Sequence, residues 1–186
     1  KYTNYTEKKW IDVKLPREQK KLVDKLKKIK KQEVEKIQNF GFLEGKKPKR
    51  VSRKDLIDAR GDIQKELHSE QESALYQAAS LIASSIKIDH AIDQAETQGP
   101  NGLRDYLEKL KNEAESRGGS KASKRLMDAP EMKDVLAKLK NLDQEHPKIG
   151  KVAEVVEEQI EKKKDSRIIV FTNYRNTSTK VKKRLD

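Results

Sequence analysis

The apolar run at residues 168–171 (IIVF) constrains the fold of this chain more than any other feature. An uninterrupted run of this kind is typical of a β-strand that is covered on both faces, as in the parallel sheet of an α/β domain. A sheet needs several strands, and the preceding residues offer almost no partner for this one. We therefore expect a C-terminal strand followed by a short basic helix, in a chain that is part of a larger protein.

The first forty residues predict a short strand and then a long helix. Residues 11–15 alternate between apolar and polar, which predicts a strand that ends at Pro16. From Pro16 onward the apolar residues keep a spacing of three or four that is typical of a helix, until Gly41 ends the pattern. The positions on this stripe are Leu22, Leu26, Ile29, Glu33, Ile37 and Phe40, and Glu33 is the polar exception.

The middle of the chain predicts the longest helix. Ser52 and Asp55 have the spacing of a capping box, which predicts the start of a short helix that Gly61 interrupts. Residues 62–98 contain neither Gly nor Pro, so one helix of about 37 residues, roughly 55 Å long, can form there. Its apolar residues lie on two stripes, so we expect neighbours to pack on two sides and this helix to be the centre of a bundle.

Further helices have clear start signals. Pro100, Pro130 and Pro147 each stand in the first turn of an amphipathic segment, and Ser120 is placed to cap a shorter one. Because short loops join these segments, successive helices should lie roughly antiparallel. The predicted fold is therefore mainly α: a multi-helix antiparallel bundle, with a C-terminal strand and helix that belong to an α/β domain.

The composition excludes several kinds of site. The 186 residues include no cysteine, so disulfides and thiolate metal ligands are excluded. No apolar run approaches the roughly 18 residues that a membrane-spanning helix needs, and no signal-peptide pattern is present, so we expect a cytoplasmic protein without membrane contact. The histidines, His68, His90 and His146, are too far apart to supply paired ligands on a helix, so no metal site is predicted.

Positive charge is concentrated in the first third of the chain. Residues 1–54 carry 19 Lys and Arg against 7 Asp and Glu, whereas residues 55–186 carry 24 of each. A basic field of this density attracts polyanions through the release of counterions, so nucleic acid is the natural partner. The densest part surrounds Pro48. The nucleic-acid-binding residues predicted there are Lys46, Lys47, Lys49, Arg50, Arg53 and Lys54.

A solvated surface is the other interpretation of this charge. Lysine-rich helix faces serve solubility and ion-pair networks in thermophilic proteins. The cluster at residues 46–54 favours nucleic acid because no acids are interspersed in it. The lysines at residues 20–31 are spread around a helix, and for them the solvated surface is preferred.

Other candidate sites are weaker. Residues 118–124 place Ser120, Lys121 and Lys124 at a Gly-flanked helix start, where exposed amides and positive charge could hold a backbone phosphate. A simple helix cap on a solvated face is the alternative. The spacing of a nucleotide-binding phosphate loop is absent, and residues 161–165 (EKKKD) lack the spacing of a nuclease site. No catalytic residue is predicted.

Several short segments of the sequence resemble segments of a known family, in the same order along the chain. Residues 167–175 (RIIVFTNYR) resemble motif IV of superfamily 2 helicases, the strand and loop that open the second RecA-like lobe. Upstream blocks resemble the helical insertion of archaeal Hef-type helicase/nucleases, which are related to the Fanconi anaemia M translocase and to antiviral RNA-sensing helicases. These blocks are residues 10–16 (WIDVKLP), 41–44 (GFLE), 90–99 (HAIDQAETQG), 103–107 (LRDYL), 120–124 (SKASK) and 143–147 (DQEHP).

The resemblance implies a domain organisation and further site residues. Residues 1–15 would be the exit from the first helicase lobe, residues 16–164 the helical insert, and residues 165–186 the start of the second RecA-like lobe. Thr172, Asn173 and Arg175 match positions of the family that touch the sugar-phosphate backbone. ATP and Mg²⁺ would bind to other parts of the parent helicase. In this chain itself we expect no cofactor and no ATP turnover.

The resulting hypothesis is a nucleic-acid-binding accessory domain of an ATP-dependent helicase or translocase that acts on forked or branched DNA in repair and replication restart. Its partners would be this DNA and the remaining helicase lobes. RNA remains an alternative, because phosphate contacts do not distinguish the sugar. The competing hypothesis is a module for protein docking or for spacing between lobes, in which the long helix exposes an apolar groove. Such docking would survive a rise in salt that abolishes phosphate contacts.

Overall fold

The computed structural model describes residues 7–69 and 72–186, and all regular secondary structure in this described part is helical. It contains eight α-helices and one short 3-10 helix at Pro48–Arg50. The α-helices are α1 (Arg17–Gln38), α2 (Arg53–Ser69), α3 (Ser73–Thr97), α4 (Gly99–Glu115), α5 (Lys121–Asp128), α6 (Pro130–Lys140), α7 (Pro147–Lys162) and α8 (Arg175–Leu185). The predicted mainly helical fold is confirmed.

The chain divides into two compact units. The first is Arg17–Glu145, which contains α1 to α6, and the second joins the residues up to Pro16 to His146–Asp186, which contain α7 and α8. This division falls before α7, whereas the sequence places the end of the helical insert at residue 164. The assignment of the terminal segments to two helicase lobes stays a prediction.

The helix α3 lies at the centre of the first unit. It packs against α1, α2, α4 and α5, and α1 also contacts α6. Apolar residues on more than one face of α3 make this possible. Leu81, Ile82, Ile88 and Ile92 all lie buried, so both of the predicted stripes are covered by neighbouring helices.

The prediction of one helix across residues 62–98 is wrong. α2 continues through Gly61, and α3 begins only after Glu72, whose backbone is extended. Ile63 and Ile82 belong to the same buried cluster. A straight helix would hold these two residues about 28 Å apart, so the chain must turn back between them to bury both. Tertiary packing therefore breaks the helix where the sequence has no Gly or Pro.

The two predicted strands are absent from the described residues. Segments 11–15 and 167–171 have no strand pairing there, so the prediction of a C-terminal strand is wrong. A strand exists only through hydrogen bonds to a neighbouring strand, and an apolar run supplies none of these by itself. Ile169 and Phe171 are 77% and 90% exposed, the opposite of a strand covered on both faces. The short basic helix that was expected to follow is present as α8.

Most of the predicted helix starts are confirmed. Proline stands in the first turn of α4, α6 and α7. The hydroxyl of Ser120 caps α5 by accepting the N–H of Ser123 at 3.4 Å. The capping box at α2 is reciprocal: the Ser52 N–H donates to the carboxylate of Asp55 at 2.8 Å, and the Asp55 N–H donates to the Ser52 hydroxyl at 3.2 Å.

Candidate nucleic-acid interface

The basic loop, defined as residues 46–54, has a backbone that is held by hydrogen bonds. The side-chain amide of Gln38, the last residue of α1, donates to the carbonyl of Lys46 at 2.7 Å. Within the loop the N–H of Arg50 donates to the carbonyl of Lys47 at 2.8 Å and closes the 3-10 turn. The basic side chains therefore project from a backbone with a defined course.

The carboxylate of Asp89 on α3 joins two basic side chains at the far end of the loop. Its Oδ1 accepts a hydrogen bond from Nζ of Lys30 at 2.6 Å, and its Oδ2 accepts one from Nε of Arg53 at 2.8 Å. Lys30 also donates to the carbonyl of Val51 at 2.8 Å. Burial opposes the charged form of Asp89, but the hydrogen bonds from Lys30 and Arg53 outweigh it and lower the pKa of this carboxyl. Arg53 thus contributes to the position of the loop as well as to its charge.

Lys46 also has an acidic partner. Its Nζ lies 2.6 Å from Oδ1 of Asp55, the acid of the capping box. Hydrogen bonds from Lys46, and then from the backbone and hydroxyl of Ser52, lower the pKa of Asp55, so this carboxyl stays ionised. Of the six cations predicted in the basic loop, Lys46 and Arg53 are therefore partly compensated.

The other four cations form what we call the free basic face: Lys47, Lys49, Arg50 and Lys54. All four side chains are exposed, and none forms an ion pair with any residue in ranges 7–69 and 72–186. Their charge acts outward on the solvent, and a polyanion that approaches meets four cations in eight consecutive residues.

The lysines of α1 present a different picture, because most of them are paired with acids. These pairs are Lys21–Glu18, Lys25–Asp134, Lys27–Glu96, Lys30–Asp89, Lys31–Glu35 and Lys36–Glu33. Interspersed ion pairs of this kind are typical of a solvated, network-forming surface. The basic loop thus concentrates four uncompensated cations in a short segment, whereas most lysines of α1 are paired, which favours the solvated interpretation for α1.

The turn before α5 uses much of its hydrogen-bonding capacity internally. The Ser120 hydroxyl is occupied as the cap of α5, and the Ser123 hydroxyl donates to the carboxylate of Glu113 at 3.0 Å. This carboxylate brings negative charge to the helix start, which disfavours a bound phosphate. Lys121 and Lys124 are exposed and available. Phosphate binding at these three predicted residues stays a prediction.

Thr172, Asn173 and Arg175 lie in the second unit. Asn173 and Arg175 are exposed, and Arg175 is the first residue of α8. The hydroxyl of Thr172 donates to the carbonyl of Tyr174 at 3.2 Å and shapes the turn that precedes the helix. Their contact with a sugar-phosphate backbone stays a prediction.

Sequence reasoning missed the residues that hold the basic loop in place. All three lie outside the loop: Lys30 and Gln38 are on α1, and Asp89 is on α3. Asp89 carries the one signal that was available: it is an acid in the middle of a largely apolar helix, where a charged group needs a partner. Nothing in the sequence identifies Lys30 and Arg53 as that partner.

The part of the chain that the structure describes offers no metal cluster and no membrane-spanning helix. Residues 7–69 and 72–186 contain no cluster of three or more His, Asp or Glu side chains that could hold a metal ion. Among the helices of these ranges, none is both long and apolar enough to cross a membrane.

Comparison with known proteins assigns the first unit to a family. Residues 18–146 match the family described as "Putative ATP-dependent RNA helicase, helical bundle". The chain belongs to this helicase helical-bundle family. The matched residues agree with the compact unit Arg17–Glu145 to within one residue at each end. The helicase helical bundle is therefore the structural unit that carries the basic loop.

Two relatives show the setting in which such a helicase helical bundle occurs. Over 131 residues the chain is 31% identical to a protein of Methanocaldococcus jannaschii named "Putative ATP-dependent RNA helicase", and this match covers 70% of the chain and 16% of that protein. The crystal structure of the Pyrococcus furiosus Hef helicase domain matches 99% of the chain with a TM-score of 0.80 and 33% identity, over 38% of its own length. The resemblance to Hef-type helicases is confirmed, and the chain spans well under half the length of either relative.

Proposed function

We propose that this helicase helical bundle grips the sugar-phosphate backbone of forked or branched DNA, while other lobes of an ATP-dependent helicase or translocase drive movement. The observation that supports this most is the free basic face, whose four cations have no acidic partner among the described residues. Gln38 holds the backbone of the basic loop at Lys46, Lys30 holds it at Val51, and Asp89 anchors the side chain of Arg53. A polyanion therefore meets four exposed cations that project from a backbone whose course is held by hydrogen bonds.

Phosphate contact follows from the chemistry of these side chains. A lysine ammonium attracts phosphate as a point charge, and the arginine fork can bind two phosphate oxygens at once. Each phosphate that is neutralised releases counterions, so the logarithm of the affinity falls with the logarithm of the salt concentration by about 0.9 per contact. Such binding recognises charge and backbone shape and does not depend on base sequence.

The chemistry of ATP hydrolysis belongs, in this proposal, to the other lobes of the helicase. ATP and Mg²⁺ would bind there, and this chain by itself would turn over no ATP. Thr172, Asn173 and Arg175 would add contacts to the tracked strand at the start of the second lobe. A role in repair and replication restart follows from the Hef-type resemblance.

Forked DNA is preferred here over RNA. The relative from M. jannaschii is named an RNA helicase, and phosphate contacts alone do not distinguish the two nucleic acids. The Hef-type resemblance, which extends over 99% of the chain, favours forks and junctions as the substrate. An RNA duplex is therefore the comparison probe that distinguishes the two nucleic acids.

The competing function, protein docking through the long helix, receives less support. That hypothesis places an apolar groove on the helix now described as α3. The apolar residues of α3 are mostly buried against the surrounding helices of the bundle, so they are already covered. An apolar partner would need another surface.

Fluorescence anisotropy tests the proposal with a labelled DNA fork, a linear DNA duplex and an RNA duplex at two salt concentrations. We expect the chain to bind the fork more tightly than the linear duplex or the RNA. The variant that carries K47Q, K49Q, R50Q and K54Q should bind the fork weakly, and its salt slope should fall by about three to four.

A matched control variant distinguishes the effect of where the cations lie from the effect of the net charge of the chain. It replaces four exposed lysines outside the basic loop that form no ion pair within the described ranges: K133Q, K140Q, K163Q and K164Q. This control should keep most of the affinity of the wild type. An equal loss in both variants would mean that net charge alone drives binding and would reject the role of the loop. No binding of the wild type to forks in dilute buffer would reject the proposed function.

A further inference from the structure

An open cleft between α1, α3 and α5 combines exposed aromatic and basic side chains. Its volume is about 680 Å³. Tyr76, in the first turn of α3, contributes a ring that is 56% exposed, and Phe40 contributes a half-buried ring just after α1. Leu81 lies buried in the same wall. An exposed tyrosine in a cleft that a second ring also lines is a surface on which a flat, apolar group can stack.

The basic side chains of this cleft are Lys36, Lys121 and Arg125. Lys121 is exposed and forms no ion pair with a described residue. Lys36 and Arg125 share one acid, the buried Glu33, at 3.0 and 2.6 Å. Glu33 compensates one of the two charges and holds both side chains in place. The lining of the cleft itself contains no acid, so the cleft is net positive.

We propose that this cleft binds an unpaired nucleotide of a single strand, with the base stacked on Tyr76 and the adjacent phosphate at Lys121. An aromatic ring can stack on any base, and a nearby cation can bind the phosphate backbone. Proteins that bind single strands without sequence preference combine these two contacts. A duplex fits poorly, because its bases already stack on one another and expose only their edges. Binding therefore selects strands that have come apart.

This inference rests on the proposed function and extends it. A fork contains both duplex and single-stranded arms, and the free basic face has no aromatic residue with which to hold an unpaired base. The two surfaces divide these tasks: the basic loop contacts phosphates of paired DNA, and the cleft contacts an unpaired strand. Each surface can be removed without altering residues of the other.

The test measures binding of the 186-residue chain to a labelled oligothymidine of fifteen nucleotides and to a blunt DNA duplex. Y76A should weaken oligothymidine binding about 5- to 150-fold, as expected for the loss of one stacked base, and should leave duplex binding unchanged. Y76F keeps the ring and should bind both as the wild type does. K121Q should weaken oligothymidine binding and lower its salt slope by about one.

The control is I57A, which truncates an exposed apolar side chain of α2, 53% exposed, that does not line the cleft. It should bind both probes as the wild type does. Wild-type affinity of Y76A for oligothymidine would overturn the cleft proposal, and so would an equal loss in Y76A and Y76F. If the chain binds duplex and fork but no oligothymidine, the cleft proposal fails and the proposed function stands. If the loop variant keeps its fork affinity, the proposed function fails instead.

Discussion

Arg53 and Asp89 lie 36 residues apart in the chain, yet Nε of Arg53 is 2.8 Å from Oδ2 of Asp89. This contact joins the start of α2 to the middle of α3. The other oxygen of the same carboxylate binds Lys30 of α1, so one acid links three helices around the end of the basic loop. The end of the basic loop is therefore held by a carboxylate that is only 19% exposed, although Arg53 itself is 42% exposed.

Removing this carboxylate should destabilise the bundle. In D89A, Lys30 loses its acidic partner while its side chain, only 14% exposed, keeps little access to water. We expect the free energy of unfolding to fall by about 1–3 kcal/mol, the usual cost of leaving a shielded polar group without its partner. Urea denaturation followed by circular dichroism measures this difference. D62A is the control: its pair with Lys65 is 60% and 80% exposed, so the loss should stay below about 1 kcal/mol. Equal losses would show that the Asp89 contacts add nothing beyond a surface pair.

The same contact predicts a dependence on pH. The pKa of Asp89 is lower in the folded chain than in the unfolded chain, so the unfolded state binds more protons as the pH falls. The stability that Asp89 contributes is fully present above its unfolded pKa, about 3.9, and is lost as the pH falls through the folded value. The difference in unfolding free energy between wild type and D89N should thus be constant from pH 7 to 5 and shrink below pH 4. A difference in unfolding free energy between wild type and D89N that was as large at pH 3 as at pH 7 would contradict the attribution of this effect to Asp89.

How much of this structure the sequence could predict depends on the range of the interactions. The capping box of Ser52 and Asp55 spans three residues, and the apolar spacing of α1 spans one turn at a time, so both are visible in the sequence. The break between α2 and α3 is not, because it follows from Ile63 and Ile82 sharing one core. The strand predicted at residues 167–171 failed for the same reason, since pairing is a property of two segments and never of one.

The candidate site shows the same division. The cations of residues 46–54 are plain in the sequence, but which of them are compensated is not. Lys46 pairs across nine residues and Arg53 across 36, and only the folded chain separates these two from the free basic face. The stacking cleft with Tyr76 gave no sequence signal, because its walls come from three helices that are far apart in the chain.

Glu33 provides a third prediction, because it is the polar exception on the apolar stripe of α1 and is only 8% exposed. Its Oε2 accepts a hydrogen bond from Arg125 at 2.6 Å, and Arg125 also donates to the hydroxyl of Ser84 at 2.7 Å. A double-mutant cycle with E33Q and R125M should give a coupling energy of about 1–3 kcal/mol, as for contacting residues in one network. The cycle of E33Q with K36M is the comparison. Since Lys36 is 60% exposed, its coupling should be below about 1 kcal/mol. Coupling energies of similar size in the two cycles would show that Arg125 is coupled to Glu33 no more strongly than the exposed Lys36 is.

The capping box of α2 gives the last prediction. In S52A the N–H of Asp55 loses the hydroxyl that accepts it at 3.2 Å, and the Asp55 carboxylate loses the hydroxyl that donates to it at 2.8 Å. The loss of an N-cap hydroxyl costs about 1 kcal/mol, which lowers the melting temperature of a chain of this size by about 2–4 °C. Thermal melting followed by circular dichroism measures the shift. S52T keeps a capping hydroxyl, so its melting temperature should be close to that of the wild type. The control S69A removes a hydroxyl at the other end of α2, where it donates to the carbonyl of Glu66, and should shift the melting temperature by less than about 1 °C. If S52A and S69A had the same melting temperature, the reciprocal hydrogen bonds of the box would contribute nothing to the start of α2, and the basic loop that leads into this helix would be held by the contacts of Gln38, Lys30 and Asp89.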